Sequence, residues 1–505
     1  MTFAVFFVVV LGISWRLQPR PVAWKLFLLG ASYVFYGWWD ARFLLLLAVS
    51  QVGNTIGGYA IARAPSEHAR KWAVRLGVAG NLALLGFFKY YGFFVETLVS
   101  LLRPLGLAPT PLLIEIALPV GISFFTFCAI SYLVDIGRGK VRPANVLDVS
   151  LFLAFFPHLV AGPIVRASEF LPQLRRPARA DSVDATRAAR LIGRGLVKKV
   201  IVANVIAQVL ADPVFGSPGA YGNFDILAAI YGYAIQIYAD FSGYTDIAIG
   251  AALLLGIKFP DNFDRPYTAV SLQDFWRRWH MTLSRWLRDY LYIPLGGNRG
   301  GERATYRNLV LTMVLGGLWH GASWTFVVWG TYHGAGLAAE RWLERRHRED
   351  RPLTASPRLA ALREQLGFGP PPPAVEERAD GTVILEDPPL VPERTPSPWL
   401  ARLWVFHFVA IGWVFFRSET LSGALTLLGR LFTAWHGPEV TTLAVGLAIA
   451  ASLAAQYVPA RVGLWAEWRV SHLPPVVQAI GFALVLLACN ILGPQGVAPF
   501  IYFQF

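Results

Sequence analysis

The clearest chemical signal in this chain is a histidine in an uncharged run. His320 sits in Gly-Leu-Trp-His-Gly-Ala-Ser-Trp, Gly317 to Trp324, within a stretch from Asn308 to Ala339 that holds no Asp, Glu, Lys or Arg. At about 1.5 Å of rise per helical residue it lies roughly 18 Å beyond Asn308, near the middle of a hydrocarbon layer about 30 Å thick. An ionisable side chain at that depth is costly and is read first as functional. Imidazole is also the group best suited to take up and return a proton near neutral pH. The competing reading is a buried histidine that bridges helices.

A second constellation runs from Trp276 to Tyr290, Trp-Arg-Arg-Trp-His-Met-Thr-Leu-Ser-Arg-Trp-Leu-Arg-Asp-Tyr. At helical spacing Trp276, Trp279, Leu283, Leu287 and Tyr290 share one face, and Arg277, Arg278, Arg285 and Arg288 share the other. This predicts one amphipathic helix at the membrane interface, its cations toward water or lipid phosphates and His280 pointing inward. A core histidine bonded to a backbone carbonyl and a chemical role both fit His280. For His158 and His333 structural roles are favoured. No HExxH or His/Cys cluster suggests a metal, and no G-x-S-x-G suggests a serine hydrolase. Asp240 and Asp246, in Ala239 to Asp246, interrupt an apolar region and must be paired or solvated there; they are candidates to buttress a cavity.

The elements that must position these groups are membrane helices. The 505 residues are 55% hydrophobic and 15% charged, with a mean hydropathy of +0.46, against about a quarter charged in soluble proteins. Phe43 to Ala62, Ile116 to Val134, Val440 to Ala460 and Val470 to Phe505 are free of Asp, Glu, Lys and Arg, each near the ~20 residues a crossing needs. Shorter or singly charged runs bring the expectation to about ten to twelve transmembrane or re-entrant helices. The apolar start, Met1 to Ile13, reads as a retained first span rather than a signal peptide. Cys128 and Cys489 both fall in apolar runs and support neither a disulfide framework nor a zinc site. The +13 charge is read as basic cytoplasmic loops, not as a nucleic-acid surface.

Basic clusters after successive apolar runs, among them Arg16 to Lys25, Arg63 to Arg75, Arg138 to Arg142 and Arg166 to Lys199, place those loops in the cytoplasm and the N-terminus outside. The run Asn308 to Ala339 is awkward: too long for one upright crossing, too short for two, and basic at both ends through Arg303, Arg307, Arg341, Arg345 and Arg346. A sharply broken or re-entrant pair of helices resolves this, with Gly316, Gly317, Gly321 and Gly330 as places to bend. His320 at the bend would line a cavity. The chain divides into residues 1–351 with the catalytic core, a Pro-rich cytoplasmic linker over 352–398, and C-terminal helices over 399–505.

Several stretches together resemble the membrane-bound O-acyltransferases, and most closely the branch that acetylates alginate. They are Leu118 to Phe127, Phe155 to Pro163, Tyr238 to Ala248, Asn262 to Tyr267, Phe275 to Gly297, Gly317 to Trp324 and Pro499 to Phe505. The resemblance implies an all-α, multi-pass fold in the bacterial inner membrane enclosing a central tunnel. It implies His320 as the catalytic residue, with His280 matching a second polar position. Trp276, Trp279, Trp319 and Trp324 would form an apolar wall that keeps water from a thioester, and Asp240 and Asp246 are further candidates to line the tunnel. It implies no resident cofactor, an acyl thioester such as acetyl-CoA as donor, and an exported polysaccharide reached through an extracytoplasmic partner as acceptor. Teichoic acid or peptidoglycan is the alternative acceptor within the class. The alternative from another class is an acyl-group translocator or proton-coupled transporter with no chemistry of its own.

The Pro-rich segment, Pro352 to Pro398, mixes charges and has few aromatic residues, so it has no means of burying a core of its own. Deletion of Pro370 to Pro392 should therefore leave membrane insertion and activity within about twofold of the full chain, measured by immunoblot of membranes and by product formation. Loss of both would show that the segment docks on the catalytic body.

Overall fold

The computed structural model describes residues 2–106, 117–349, 375–377, 383–385 and 398–493. Among the described residues the chain is all-α apart from one short ladder, Val375–Glu377 antiparallel to Val383–Leu385, in the Pro-rich segment; the rest of that segment up to residue 397 and the terminal Pro499 to Phe505 motif lie outside the described residues.

Four helices open the chain: α1 (Thr2–Leu17), α2 (Pro21–Gly37), α3 (Arg42–Ala62) and α4 (Glu67–Leu102). Then come α5 (Ile122–Gly137), α6 (Ala185–Leu196) and the long α7 (Asn223–Leu254). The site-bearing helices are α8 (Leu272–Arg278), α9 (Met281–Leu287), α10 (Gly301–His320) and α11 (Trp324–Glu349). The chain then continues through α12 (Pro398–Arg417), α13 (Leu421–Thr433), α14 (Leu443–Ala455), α15 (Ala460–Ser471) and α16 (Pro475–Leu492).

Among the described residues five helical stretches are long and apolar enough to cross a membrane: Arg42–Ala62, Glu67–Leu105, Ala185–Gly216, Pro398–Arg417 and Pro475–Leu492. Four shorter apolar helices accompany them. The outer helices turn large apolar side chains outward, Val8 and Leu76 being 66% and 67% exposed and Val476 69%. Such surfaces are tolerable against lipid and costly in water.

The centre belongs to α7, which is buried along most of its length. Its crossing with α6 is close because glycines meet: a Cβ on Gly243 would collide with the Gly195 carbonyl, and one on Gly250 with the Ala188 carbonyl. Small residues at a helix interface let backbones approach and substitute for a hydrophobic drive that lipid does not supply. The approach also brings cations to the carboxylates of α7. Asp246 is held by Arg194, at 2.5 and 2.8 Å, and by Lys198 at 2.9 Å, while Asp240 pairs with Lys199. The two aspartates are thus paired, as their depth demanded, and they lock α6 to α7.

The awkward run resolves as a helical hairpin. The first arm begins upstream of Asn308, at Gly301, and the second continues past Ala339 to Glu349, so both arms extend into their charged flanks. The break is confined to Gly321, Ala322 and Ser323. Gly316, Gly317 and Gly330 do not bend, contrary to expectation. Instead a Cβ on Gly317 would strike the Phe326 carbonyl, one on Gly330 the Met313 carbonyl, and one on Gly334 would lie 2.8 Å from the Val310 Cα. These glycines let the arms pack backbone to backbone, leaving Gly321 as the turn. At the open end Glu302 lies 3.4 Å from Arg345 and 3.9 Å from Arg341, so both basic flanks are on one side. Cysteines at positions 303 and 345 should therefore share one accessibility, both protected from an impermeant thiol reagent added outside intact cells and both labelled in inverted vesicles. Opposite labelling of the two would require separate sides and break the hairpin.

Candidate active site

His320 is the last helical residue of the first arm, at the closed end of the hairpin. Its imidazole packs edge to face against Trp319 at 4.8 Å, Trp329 at 5.2 Å and Phe416 at 5.1 Å between ring centroids. Gly321 is required just beyond it, since a Cβ there would enter the Phe326 ring. Phe416 comes from α12, so the C-terminal helices contribute a wall of this site.

His280 reaches the same place by another route. The stretch Trp276 to Tyr290 is not one amphipathic helix, as its periodicity predicts, but two short helices broken at Trp279 and His280. Trp279 is extended and His280 has left-handed backbone, φ 42°, a conformation that costs a residue with a Cβ roughly 1–2 kcal/mol. Other segments satisfy the backbone freed by the break. Ahead of the break, the Glu340 carboxylate of α11 caps the start of α8, accepting from the Leu272 and Gln273 N–H groups. The Arg278 carbonyl accepts from Asp264 N–H, and the Asn262 carbonyl from Met281 N–H. The arginine face is largely paired, Arg278 with Asp274 at 2.7 Å and Arg288 with Asp289 at 2.7 Å, rather than directed wholly to water.

Asn262 fixes the chemistry of His280. Its Oδ1 accepts from Thr282 N–H at 3.1 Å and from the Thr282 hydroxyl at 2.9 Å, and lies 3.1 Å from His280 Nδ1. The Thr282 oxygen already accepts from Ile164 N–H, so that hydroxyl must donate to Asn262. An oxygen receiving such donors can meet Nδ1 only as N–H, which leaves Nε2 with its lone pair. Nε2 has no hydrogen-bond partner among the described residues. The expected carbonyl-bonded core histidine is therefore not what the fold builds at His280. It does build one at His158, whose Nε2 lies 3.0 Å from the Phe152 carbonyl, and it encloses His333 between Trp276 at 5.2 Å and Trp329 at 5.0 Å.

Trp319 joins the two candidate histidines. Its ring lies 6.2 Å from His280 and 4.8 Å from His320. Phe124 and Phe127 of α5 pack on it at 5.6 and 5.2 Å, and Trp286, stacked on Phe127 at 3.8 Å, donates to the Phe127 carbonyl. Trp279 is buried against Trp413 at 4.9 Å, and Trp276 packs on Trp329 at 5.7 Å. Trp324 departs from the expected wall: it is 52% exposed and meets Phe93, because the second arm starts there and turns it outward. The fold thus gathers His320, His280, Trp319, Trp276 and Trp279, with Phe241, the neighbour of Asp240, 4.7 Å from His280.

Two residues that matter here are not singled out by sequence reading. Asn262 stands in the Asn262 to Tyr267 motif, and only its place in that motif marks it. Lys89 is one of two interior charges, with Glu96, in the apolar Leu76 to Leu102 run; its ammonium meets the carbonyls of Trp319 and His320, the latter at 3.1 Å, while the Tyr90 hydroxyl donates to the Leu318 carbonyl at 2.8 Å.

Residues 135–360 match the model of the membrane-bound O-acyltransferase family. The probable alginate O-acetylase of Pseudomonas aeruginosa is 40% identical over 85% of this chain and 75% of its own length. That of Pseudomonas putida is 37% identical over 95% of this chain and 94% of its own. The peptidoglycan O-acetyltransferase of Helicobacter pylori is 36% identical over 81% of this chain and 74% of its own.

Replacement of Asn262 by Ala strips one acceptor from several buried donors, at roughly 1–3 kcal/mol for each group left unsatisfied. The variant should unfold at a clearly lower temperature in detergent. Because His280 and Asn262 share one network, the Asn262→Ala/His280→Ala double variant should lose less than the sum of the two singles. Strict additivity would show that the pair does not act as a unit.

Proposed function

The chain belongs to the membrane-bound O-acyltransferase family, and on that premise we propose that it moves an acetyl group from a cytoplasmic thioester toward hydroxyls of an exported, alginate-like polysaccharide. It is a multi-pass membrane protein and an O-acyltransferase, which sets aside the translocator without chemistry. The bacterial inner membrane is the proposed location, since a cytoplasmic donor and an exported acceptor meet only across it. The probable alginate O-acetylases among its relatives support the acetyl and polysaccharide assignments.

One observation carries the mechanism: two buried imidazoles pack on one indole, Trp319, at the closed end of a membrane hairpin. A sugar hydroxyl is a poor nucleophile, and a base within hydrogen-bond reach supplies typically about 10²–10⁴-fold. In the proposed step His320 takes the hydroxyl proton as the oxygen bonds to the acyl carbon. The carbon–sulfur bond then breaks, and the proton passes to the departing thiolate. His280, with Nδ1–H held by Asn262, offers Nε2 as a second acceptor for that proton or for the hydroxyl itself. The aromatic wall keeps out water that would hydrolyse the thioester. A polymer crossing lipid would lose water partners at each hydroxyl, so the hydroxyl that attacks at His320 is assigned to an extracytoplasmic partner, which carries the acetyl group as an ester and passes it to the glycan.

Deletion of the gene should remove O-acetyl esters from an exported glycan, read by NMR of the polymer. Complementation with His320→Ala should give an inserted protein that restores under a tenth of them, given the usual size of a general-base effect; greater restoration refutes His320 as base. A glycan that keeps its esters while peptidoglycan loses them would move the acceptor to the cell wall and leave the acyltransferase chemistry intact.

A further inference from the structure

Lys89 is an ionisable group inside a helix that otherwise faces outward. Of α4 only Asn81 and Leu85 are buried, while Leu76, Phe87 and Phe94 are at least half exposed. A cation set in such a span is expensive and needs a purpose. Its partners are specific: the carbonyls of Trp319 and His320, with Tyr90 on the carbonyl of Leu318. These belong to the final turn of α10.

The last four carbonyls of a helix have no partner within it. After His320 the chain goes extended at Gly321, φ −156° and ψ 149°, and the Gly321 N–H returns only to the Gly317 carbonyl at 3.4 Å. The remaining three carbonyls would face an apolar interior unsatisfied, and a helix of this length ends in about half a negative charge. An ammonium carries several N–H donors and the complementary charge. Lys89 and Tyr90, adjacent on α4, meet all three.

We propose that Lys89 is a positioning residue for the transfer: by clamping the final turn of α10 it fixes the direction of the His320 imidazole and the seat of Trp319 between the two histidines. The proposal rests on His320 being the base. Without the clamp the turn frays, and the imidazole no longer points constantly at the reacting hydroxyl. Positioning of this kind governs rate steeply, a misplacement of about 1 Å costing on the order of 10²-fold.

The test uses the full-length chain in a deletion strain. Lys89→Met, similar in size and uncharged, should lower O-acetyl esters on the exported glycan at least tenfold at unchanged abundance in the membrane. Lys89→Arg, which retains charge and donors, should keep more than a third. On purified protein, carbethoxylation of the peptide bearing His320 by diethyl pyrocarbonate, followed by mass spectrometry, should run at least threefold faster in Lys89→Met than in wild type and near the wild-type rate in Lys89→Arg. More than half the esters in the Met variant, equal loss in Met and Arg, or unchanged His320 reactivity would each overturn the proposal. If the Met variant does not accumulate, Lys89→Gln replaces it; failure of both to accumulate would assign Lys89 to assembly and overturn the proposal too. His320→Ala is run alongside. An active His320→Ala refutes the base itself, whereas an inactive one beside a normal Lys89→Met refutes the clamp alone.

Discussion

Backbone that leaves the helix inside a membrane must find its hydrogen bonds in the protein, because hydrocarbon offers none. That constraint organises this fold. The chain is broken at Gly321 to Ser323 and again at Trp279 and His280, and each break sets a histidine. The polar groups released at each break are met from other segments: by Lys89 and Tyr90 at the first, by Asn262 and Asp264 at the second. The helices that supply these partners are therefore parts of the site as much as the residues that face the chemistry. A simple bundle of unbroken helices would have no such need and would place no imidazole so firmly.

The place of His320 at the closed end of the hairpin followed from sequence because an uncharged run is long enough to measure depth along it. The hairpin was legible from the same run, through its awkward length and its two basic flanks, now seen beside one another at Glu302. The pairing of Asp240 and Asp246 followed from the cost of an unpaired charge, although nothing in periodicity named Lys199, Arg194 and Lys198 as the partners. The helix over Trp276 to Tyr290 misled, because periodicity reads which residues are apolar and is blind to a two-residue interruption at Trp279 and His280. The chain is helical through Arg278 and again from Met281, so the apolar pattern outlives the break; the bonds to Asn262 and Asp264 satisfy the backbone beside it. Glycine misled in a similar way. Gly317 and Gly330 read as hinges, yet their value lies in the absence of a Cβ between two packed helices.

The distribution of charge separates structure from chemistry. The buried and partly buried ion pairs with carboxylates, Lys25 with Asp148, Arg417 with Asp212, Arg194 and Lys198 with Asp246 and Lys199 with Asp240, tie segments of the chain together. Around His320 stand the rings of Trp319, Trp329 and Phe416, and the nearby cation Lys89 is engaged with backbone carbonyls. A carboxylate against the imidazole would hold the proton it is meant to pass on, since an adjacent opposite charge favours the charged form. An aromatic enclosure imposes no such bias. In the proposed transfer it would also exclude the water that competes for a thioester, so one choice of neighbours would serve both the return of the proton and the protection of the acyl group.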